Sequence, residues 1–450
     1  MANQQSVELS SDSRFYFSND VRSKEIEGGR YLIVSVPTAN WIVLDSSVQR
    51  EMLKALMEGK TVQEVMDVCA GETEMKLFVQ LLSGLMARQF ASLSPTGVLV
   101  TREDTSRSMN IYLTQACNLR CKHCFMHSGV KLSGELTLQQ WKEVLKGFRE
   151  WGGENLTITG GEPLMNPVFA DIVEFASQQG LKVTVLTNGL LWTDALIERM
   201  YGHIDQIQVS LDGVNEQSNA AVRGIGHFDK TIENIVKLSN RGFRLSVATT
   251  FTLENLTPDT KSLYVDLVAK IKQHSLFPIF FKITKKMLVG RNTHYSEADA
   301  KAYFDQVMEI ERSVEENSRE QNFMEGHVPN FVDANCGFGG VSVSADGNVY
   351  YCNRIHELDS YGKVTEHPIA YFLEKGKELA VATDVDRVDP CKSCYLRYVC
   401  GGGCRIDDYN FKGRLQNFKG ALQRMEDAEV CRARLEKRMV EGFDFKYDFK

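Results

Sequence analysis

Ten of the eleven cysteines fall into two groups, and their spacings constrain the chain more than any other feature. The first group is Cys117-Asn-Leu-Arg-Cys121-Lys-His-Cys124, directly after the strand-like Met109-Asn-Ile-Tyr-Leu113. The second is Cys336, Cys352, Cys391, Cys394, Cys400, Cys404 and Cys431, with no cysteine between the groups. Three thiolates on one tight loop can hold three irons of a cubane and leave the fourth iron open to another ligand. Structural zinc closes its shell with four ligands. No fourth cysteine or suitably spaced histidine follows Cys124, and His123, between two cysteines, is expected to turn away. Taken alone, Cys391 to Cys404 also suits a zinc knuckle.

At 450 residues the chain exceeds one ordinary core, so two to three domains are expected. Its 43% hydrophobic and 25% charged residues are those of a globular protein rather than a disulfide-stapled miniature. A net charge of -7 argues against bulk nucleic-acid binding. The start, Met1-Ala-Asn-Gln-Gln-Ser-Val-Glu8, lacks the basic-then-apolar order of a secretory signal, and no apolar run reaches membrane-spanning length. A cytoplasmic protein with no membrane or nucleic-acid partner is expected. In a reducing compartment its thiols point to metal rather than to disulfides.

Residues 1–105 read as a winged-helix-like unit. Strands are expected at Phe15–Phe17, Tyr31–Val36 and Trp41–Leu44, and helices at Val48–Glu58, from Val62, and at Thr73–Phe90, before a closing strand Val98–Val100. Ser46-Ser-Val-Gln49 and Thr61-Val-Gln-Glu64 have the form of capping boxes. Cys69 is expected to be a core thiol. Across 106–295 strands alternate with helices: Asn110–Leu113, Asn155–Thr159, Lys182–Thr187, Gln206–Leu211, Leu245–Thr252 and Pro278–Ile283. Such α/β alternation predicts a partial (β/α)6 barrel with its site at the C-terminal ends of the strands. The cysteine loop, Gly160-Gly-Glu-Pro163, Thr187-Asn-Gly189 and Ser210-Leu-Asp-Gly213 all fall at that rim. A polar, charged helix from about Ser296 to Asn322 and a linker bridge 296–329. A cysteine-rich unit, 330–450, contains a hairpin around Asp346-Gly347 and a charged final helix.

With these motifs in place, the chain resembles a radical S-adenosylmethionine (SAM) enzyme with a C-terminal SPASM domain over roughly residues 107–435. Cys117-x3-Cys121-x2-Cys124 matches that family's cluster signature, and Gly160-Gly-Glu-Pro163 its SAM-amine motif. Cys336, Gly347, Cys352, Cys391, Cys394, Cys400, Cys404 and Cys431 match the SPASM pattern. The resemblance implies three [4Fe–4S] clusters, one binding SAM and two auxiliary. Cys117, Cys121 and Cys124 would hold the first. Cys391, Cys394, Cys400 and Cys431 would hold the outer auxiliary cluster, and Cys336, Cys352 and Cys404 the inner one, a ligand short. A non-cysteine group such as Asp333 completes it, or an iron stays open. Gly160, Gly161 and Glu162 would contact the methionine of SAM, and Ser210 and Asp212 its ribose, with Asn188 and Arg223 as further contacts. The cleaved cofactor would yield a 5′-deoxyadenosyl radical that abstracts hydrogen from an unactivated C–H bond.

By the same resemblance the N-terminal unit is similar to the RiPP recognition element, which binds a leader peptide by strand addition. A maturase that crosslinks a ribosomally made precursor peptide follows, fed by a low-potential flavodoxin- or ferredoxin-type donor. The crosslink is a thioether or a carbon–carbon or carbon–oxygen cyclisation. The alternative is an anaerobic sulfatase-maturase-like enzyme oxidising a Cys or Ser side chain. That group carries an aspartate as base just after the second SPASM cysteine, where this chain has Asn353, and an amide cannot accept the proton. No residue here marks itself as the catalytic base.

Overall fold

The computed structural model describes residues 9–95, 107–285, 296–316, 337–355, 358–410 and 422–447. The expected strand Val98–Val100, Cys336 and Asp333 lie outside them.

The first unit is an antiparallel sheet of β1 (Val21–Ile26), β2 (Arg30–Ser35) and β3 (Asn40–Leu44), followed by α1 (Ser47–Met57), α2 (Val62–Met66) and α3 (Glu72–Ala87). The apolar run Tyr31-Leu-Ile-Val34 has no alternation because both of its faces are covered. Tyr31, Ile33, Ile42 and Leu44 pack on Leu53, Leu56, Phe78 and Leu85 of the helices. Leu32, Val34 and Val43 pack on Leu396 and Met439 of the cysteine-rich unit. Thr61 and Glu64 close the reciprocal box that their spacing predicts, whereas the Ser46 box forms only by half: Ser46 accepts from the Gln49 N–H, but the Gln49 side chain accepts from the Asp45 N–H instead. One expected strand fails and one strand was not expected. Phe15–Phe17 makes only one bridge, Tyr16 to Ser92, and its Phe15 is a core side chain. β1 carried no periodic signal because Arg22, Ser23, Lys24 and Glu25 are exposed; it is an edge strand held by main-chain pairing to β2. Cys69 is half-buried against this core.

The second unit follows the predicted alternation. β4 (Ser108–Tyr112), β5 (Asn155–Thr159), β6 (Lys182–Thr187), β7 (Gln206–Ser210), β8 (Leu245–Thr249) and β9 (Ile279–Ile283) pair in parallel, in chain order. Between them lie α4 (Leu138–Glu150), α5 (Phe169–Gln178), α6 (Asp194–Met200), α7 (Glu216–Arg223), α8 (Phe228–Arg241) and α9 (Thr260–His274). Helix α4 opens on the Thr137–Gln140 capping box and buries Trp141, Val144, Leu145 and Phe148. Helix α7 was unmarked in the sequence because only Asn219 and Val222 are buried, too few for an apolar stripe.

Strand β8 stops at Thr249, short of the predicted Thr252, because the Thr250 N–H turns to donate to the Asp212 carboxylate at 2.7 Å. Helix α10 (Glu297–Glu316) packs on α9 through Tyr303, Val307 and Ile310. The hairpin is not confined to the cysteine-rich unit. Its first strand, β10 (Val341–Val343), pairs in parallel with β4, and β11 (Val349–Tyr350) closes an eight-stranded sheet. A second helix not marked in the sequence, Ile369–Ala382, covers this extension through Ile369, Phe372 and Leu373.

Candidate functional site

The loop from β4 folds back over the ends of β5 and β7. The Gly161 N–H donates to Thr114 O at 2.7 Å, and the Glu162 N–H to Ala116 O at 2.8 Å. This closeness needs glycine: a Cβ at Gly160 would lie 2.6 Å from Thr114 O, and one at Gly161 2.2 Å from Ala116 O. Between Cys121 and His123, the Lys122 N–H donates to Val222 O at 2.9 Å, tying the loop to the end of α7. The Glu135 carboxylate gathers Thr114 Oγ1 and the N–H groups of Gln115 and Leu132. Three cysteines thus sit on a loop fixed at both ends and in its middle.

Glu162 is completely buried and accepts from the Asn188 N–H at 2.7 Å and Thr187 Oγ1 at 2.8 Å. Burial dominates these bonds and pushes its carboxyl up to about 7. A buried carboxylate in that position is incomplete without a cation, and a ligand ammonium would supply it. Asn188 also reaches Asn118 Oδ1 through its side chain, at 2.8 Å. The Ser210 hydroxyl, at the tip of β7, makes no hydrogen bond among the described residues and is open to a ligand.

Asp212 is organised differently. Its Oδ2 accepts from Arg223 Nε at 2.6 Å and lies 2.8 Å from His123 Nε2, while Oδ1 takes the Thr250 N–H. Burial pushes the carboxyl up, but Arg223 and His123 outweigh it and hold it at about 2. Arg223 is therefore no ordinary surface arginine: its side chain is 10% exposed, in a buried ion pair. His123 turns away from the cysteines, as expected, and its Nδ1 is buried without a partner. No motif marks His123 and Asn255, whose Nδ2 donates to Asp212 O, as completing this network. Neither belongs to a recurring spacing.

In the second cysteine group, burial raises the thiols of Cys394, Cys400 and Cys431. Cys391 and Cys400 lie near enough to repel a Cys394 thiolate, and Cys400 a Cys431 thiolate. Arg405, Arg424 and Arg432 counter that charge. Arg405 is completely buried, yet among the described residues its guanidinium hydrogen-bonds only to the carbonyls of Thr383, Gly401 and Gly403 and lies over the Tyr409 ring at 5.3 Å, and its Nη2 has no hydrogen-bond partner there. A buried guanidinium without a carboxylate requires another anion, and a thiolate-bound cluster is one. Arg354 joins another pair, with its N–H 3.5 Å from Cys352 Sγ and its Nη1 3.6 Å from Cys404 Sγ. Between the groups, Tyr112 donates to Asn353 O and packs with Met126 and Cys124.

All described cysteines are free. Among the described residues no three His, Cys, Asp or Glu side chains converge as they would on a single metal ion. A cubane spreads its ligands over separate irons, so the three-cysteine loop and the arginine-flanked thiols fit clusters better than zinc. Among the described residues no helix is long and apolar enough to cross a membrane.

Residues 111–266 match the Radical SAM superfamily. The chain is 27% identical over 330 residues to the AdoMet-dependent heme synthase of Methanosarcina barkeri, covering 67% of this chain and 91% of that protein. It is 29% identical over 308 residues to the mycofactocin maturase MftC of Mycobacterium tuberculosis, covering 65% and 76%. Among solved structures, anSMEcpe with bound AdoMet shares the fold, with a TM-score of 0.55 and 17% identity over 76% of this chain and all of that one. The cysteine loop and the glycine turn lie within the matched residues, at the rim of the partial barrel. Residues 111–266 are thus a radical SAM domain, of a superfamily whose reactions run on a [4Fe–4S] cluster and SAM, and the chain is an enzyme.

Proposed function

We propose that this enzyme matures a ribosomally made precursor peptide. Its relatives act on different substrates by name, a heme synthase and a peptide maturase among them. The observation that favours the peptide is the N-terminal sheet: β1 pairs with β2 on one side and leaves its other edge unpaired among the described strands, with polar side chains outward. An open edge binds an extended peptide by main-chain hydrogen bonds. That sheet also packs directly on Leu396 and Met439, beside the outer cysteines, so a leader held there would deliver its core toward the barrel.

Cys117, Cys121 and Cys124 hold the SAM-binding cluster in this reading. Gly160 and Gly161 bring main chain against the methionine moiety, and Glu162 pairs with its ammonium. Asn188 and Ser210 face the ribose side. Asp212 acts through Arg223, keeping the guanidinium oriented toward the site rather than touching the ribose itself. When bound, the cluster and SAM supply the one-electron chemistry that takes hydrogen from an unactivated C–H bond. Cys391, Cys394, Cys400 and Cys431 carry an outer auxiliary cluster, stabilised by Arg405, Arg424 and Arg432. Cys352 and Cys404, joined by Arg354, carry an inner one with Cys336. A fourth position left to substrate there would favour a thioether over a carbon–carbon or carbon–oxygen link. A low-potential flavodoxin- or ferredoxin-type protein supplies electrons, and the protein works in the cytoplasm.

The test is anaerobic incubation of reconstituted enzyme with the peptide encoded beside its gene, SAM and reductant, followed by tandem mass spectrometry. A product two hydrogens lighter is expected. SAM cleavage with the peptide left unchanged counts against the reading. A product that retains an alkylatable cysteine excludes the thioether.

A further inference from the structure

The barrel's eight-stranded sheet has one face covered by helices and one that is not. Leu156, Ile158, Val183, Val185, Ile207, Val209, Val247 and Ile279 fill the helix side. The residues alternating with them form rungs across the inner face: Asn110 to Thr157 to Thr184, then Gln208 to Ser246 to Phe280, then Ser210 to Ala248 to Lys282. Much of this face is polar, and little of that polarity is spent on the protein, although Asn110 Nδ2 donates to Ser342 Oγ at 3.4 Å. Among the described residues, Thr157, Thr184, Gln208 and Ser210 make no side-chain hydrogen bond, and Ser246 Oγ is buried with no partner. Polar groups left unsatisfied on a concave face are those a ligand satisfies.

Lys282 stands out on it. The register sets it level with Ser210, at the height of the cysteine and glycine loops. Lys182, also on this face, lies at the opposite end of its strand, in register with Asn155. Neighbouring lysines are engaged elsewhere: Lys285 pairs with Glu311 at 2.7 Å, and Lys272 lies over the Phe281 ring at 5.9 Å. Among the described residues Lys282 has no ion pair, although surrounding protein lowers its affinity for a proton. It is exposed to solvent, as a side chain lining an open barrel can be.

We propose that Lys282 is a carboxylate subsite that draws an acidic side chain or the C-terminal carboxylate of the substrate peptide into the barrel mouth. A single cation among neutral hydroxyls and amides suits a monoanion; a phosphate dianion calls for more cations or a nest of N–H groups. The partial desolvation of the site strengthens the pairing relative to an exposed lysine. Phe280, one rung below and 67% exposed, gives the adjoining peptide an apolar surface.

The subsite rests on the peptide reading, and its test separates the two. The probes are the neighbouring-gene peptide, copies with each Asp or Glu changed singly to Asn or Gln, and a C-terminally amidated copy. Lys282→Met should raise the peptide KM about ten- to hundredfold, the worth of a charged hydrogen bond, with kcat and the KM for SAM little moved. Lys282→Arg should restore most of the affinity. One carboxylate-deleted peptide should show the same loss with the unsubstituted enzyme and no further loss with Lys282→Met, and that peptide names the source of the carboxylate. An unchanged peptide KM, an equal loss for every peptide, or a rise confined to the KM for SAM overturns the subsite.

If SAM is cleaved and no peptide is modified, the peptide reading fails, and a second measurement decides the subsite. Acetic anhydride labelling of Lys282 in the holoenzyme should be slowed by N-acetylglutamate N-methylamide and not by its glutamine counterpart. Equal labelling with both overturns it.

Discussion

Replacing Asp212 by Asn tests whether the buried Asp212–Arg223 pair is the keystone of the SAM site. Asp212 is 1% exposed and Arg223 10%, at 2.6 Å, so removing the carboxylate strands a guanidinium in the interior. Breaking one partner of such a pair costs about 3–5 kcal/mol. For a unit of this size that corresponds to a fall in melting temperature on the order of 10 °C. Arg223→Met should cost a similar amount, but the double variant should lose well under the sum, because the second change removes the stranded charge.

The cost should not depend on pH between 6 and 8. The carboxyl is held at about 2, so its contribution is fully present above the ordinary carboxylate range and fades only as pH falls through the folded value. Differential scanning fluorimetry of the four proteins, with iron content measured alongside, is the assay. A fall of only a degree or two for Asp212→Asn, or strict additivity in the double variant, would show that the pair is not structural.

Further outcomes follow from other parts of the site. With Glu162 at about 7, SAM affinity should fall roughly tenfold between pH 8 and 6 in anaerobic titrations, and Glu162→Gln should bind weakly with no pH trend; a flat profile for the unsubstituted enzyme refutes the ammonium contact. Changing Cys117, Cys121 and Cys124 together to Ala should remove one cluster's iron and sulfide and all SAM cleavage while leaving the rest, and full iron loading would refute the assignment. Arg405→Met should make the outer cluster harder to reduce, read as a more negative midpoint in an EPR-monitored titration; an unmoved midpoint says the guanidinium serves only to hold its three carbonyls. Of Arg22→Pro and Ser23→Pro on β1, one removes an N–H that points outward, and only that one should fold normally and lose leader binding; equal binding by both removes the edge from the mechanism.

The barrel was legible because six strands each carry a compact apolar set, and four of their ends carry glycine or cysteine turns that have few other uses. The rim residues could be named from the same turns. Their partners could not. His123 sits inside the cysteine motif, but its bond to Asp212 spans 89 residues of chain, and local spacing says nothing about such a pairing. Arg405 and Arg424 look like solvated charges in a polar stretch, and only burial shows that they face thiols. Strand β1 was missed for a related reason. An edge strand with four exposed polar side chains satisfies its main chain without leaving a hydrophobic trace.

The way the N-terminal sheet is mounted bears on how leader binding would be felt at the clusters. Glu436, in the C-terminal helix Ala428–Tyr447, is 6% exposed and accepts from both Lys24 of β1 and the hydroxyl of Tyr395, the residue after Cys394. Trp41 of β3 donates to Met439 O in the same helix, which also carries Cys431. A peptide strand added to β1 would therefore lie one side chain away from a helix and a turn that together hold two of the outer cysteines. The same mounting means that a fragment cut near residue 105 would expose Leu32, Val34 and Val43, which the full chain covers with Leu396 and Met439. Leader affinity is thus best measured on the intact enzyme. Lys24→Met should loosen the coupling, seen as faster loss of outer-cluster iron to a chelator with melting of the barrel unmoved. If iron leaves at the same rate in the variant, the sheet is docked on the cysteine-rich unit without communicating with it.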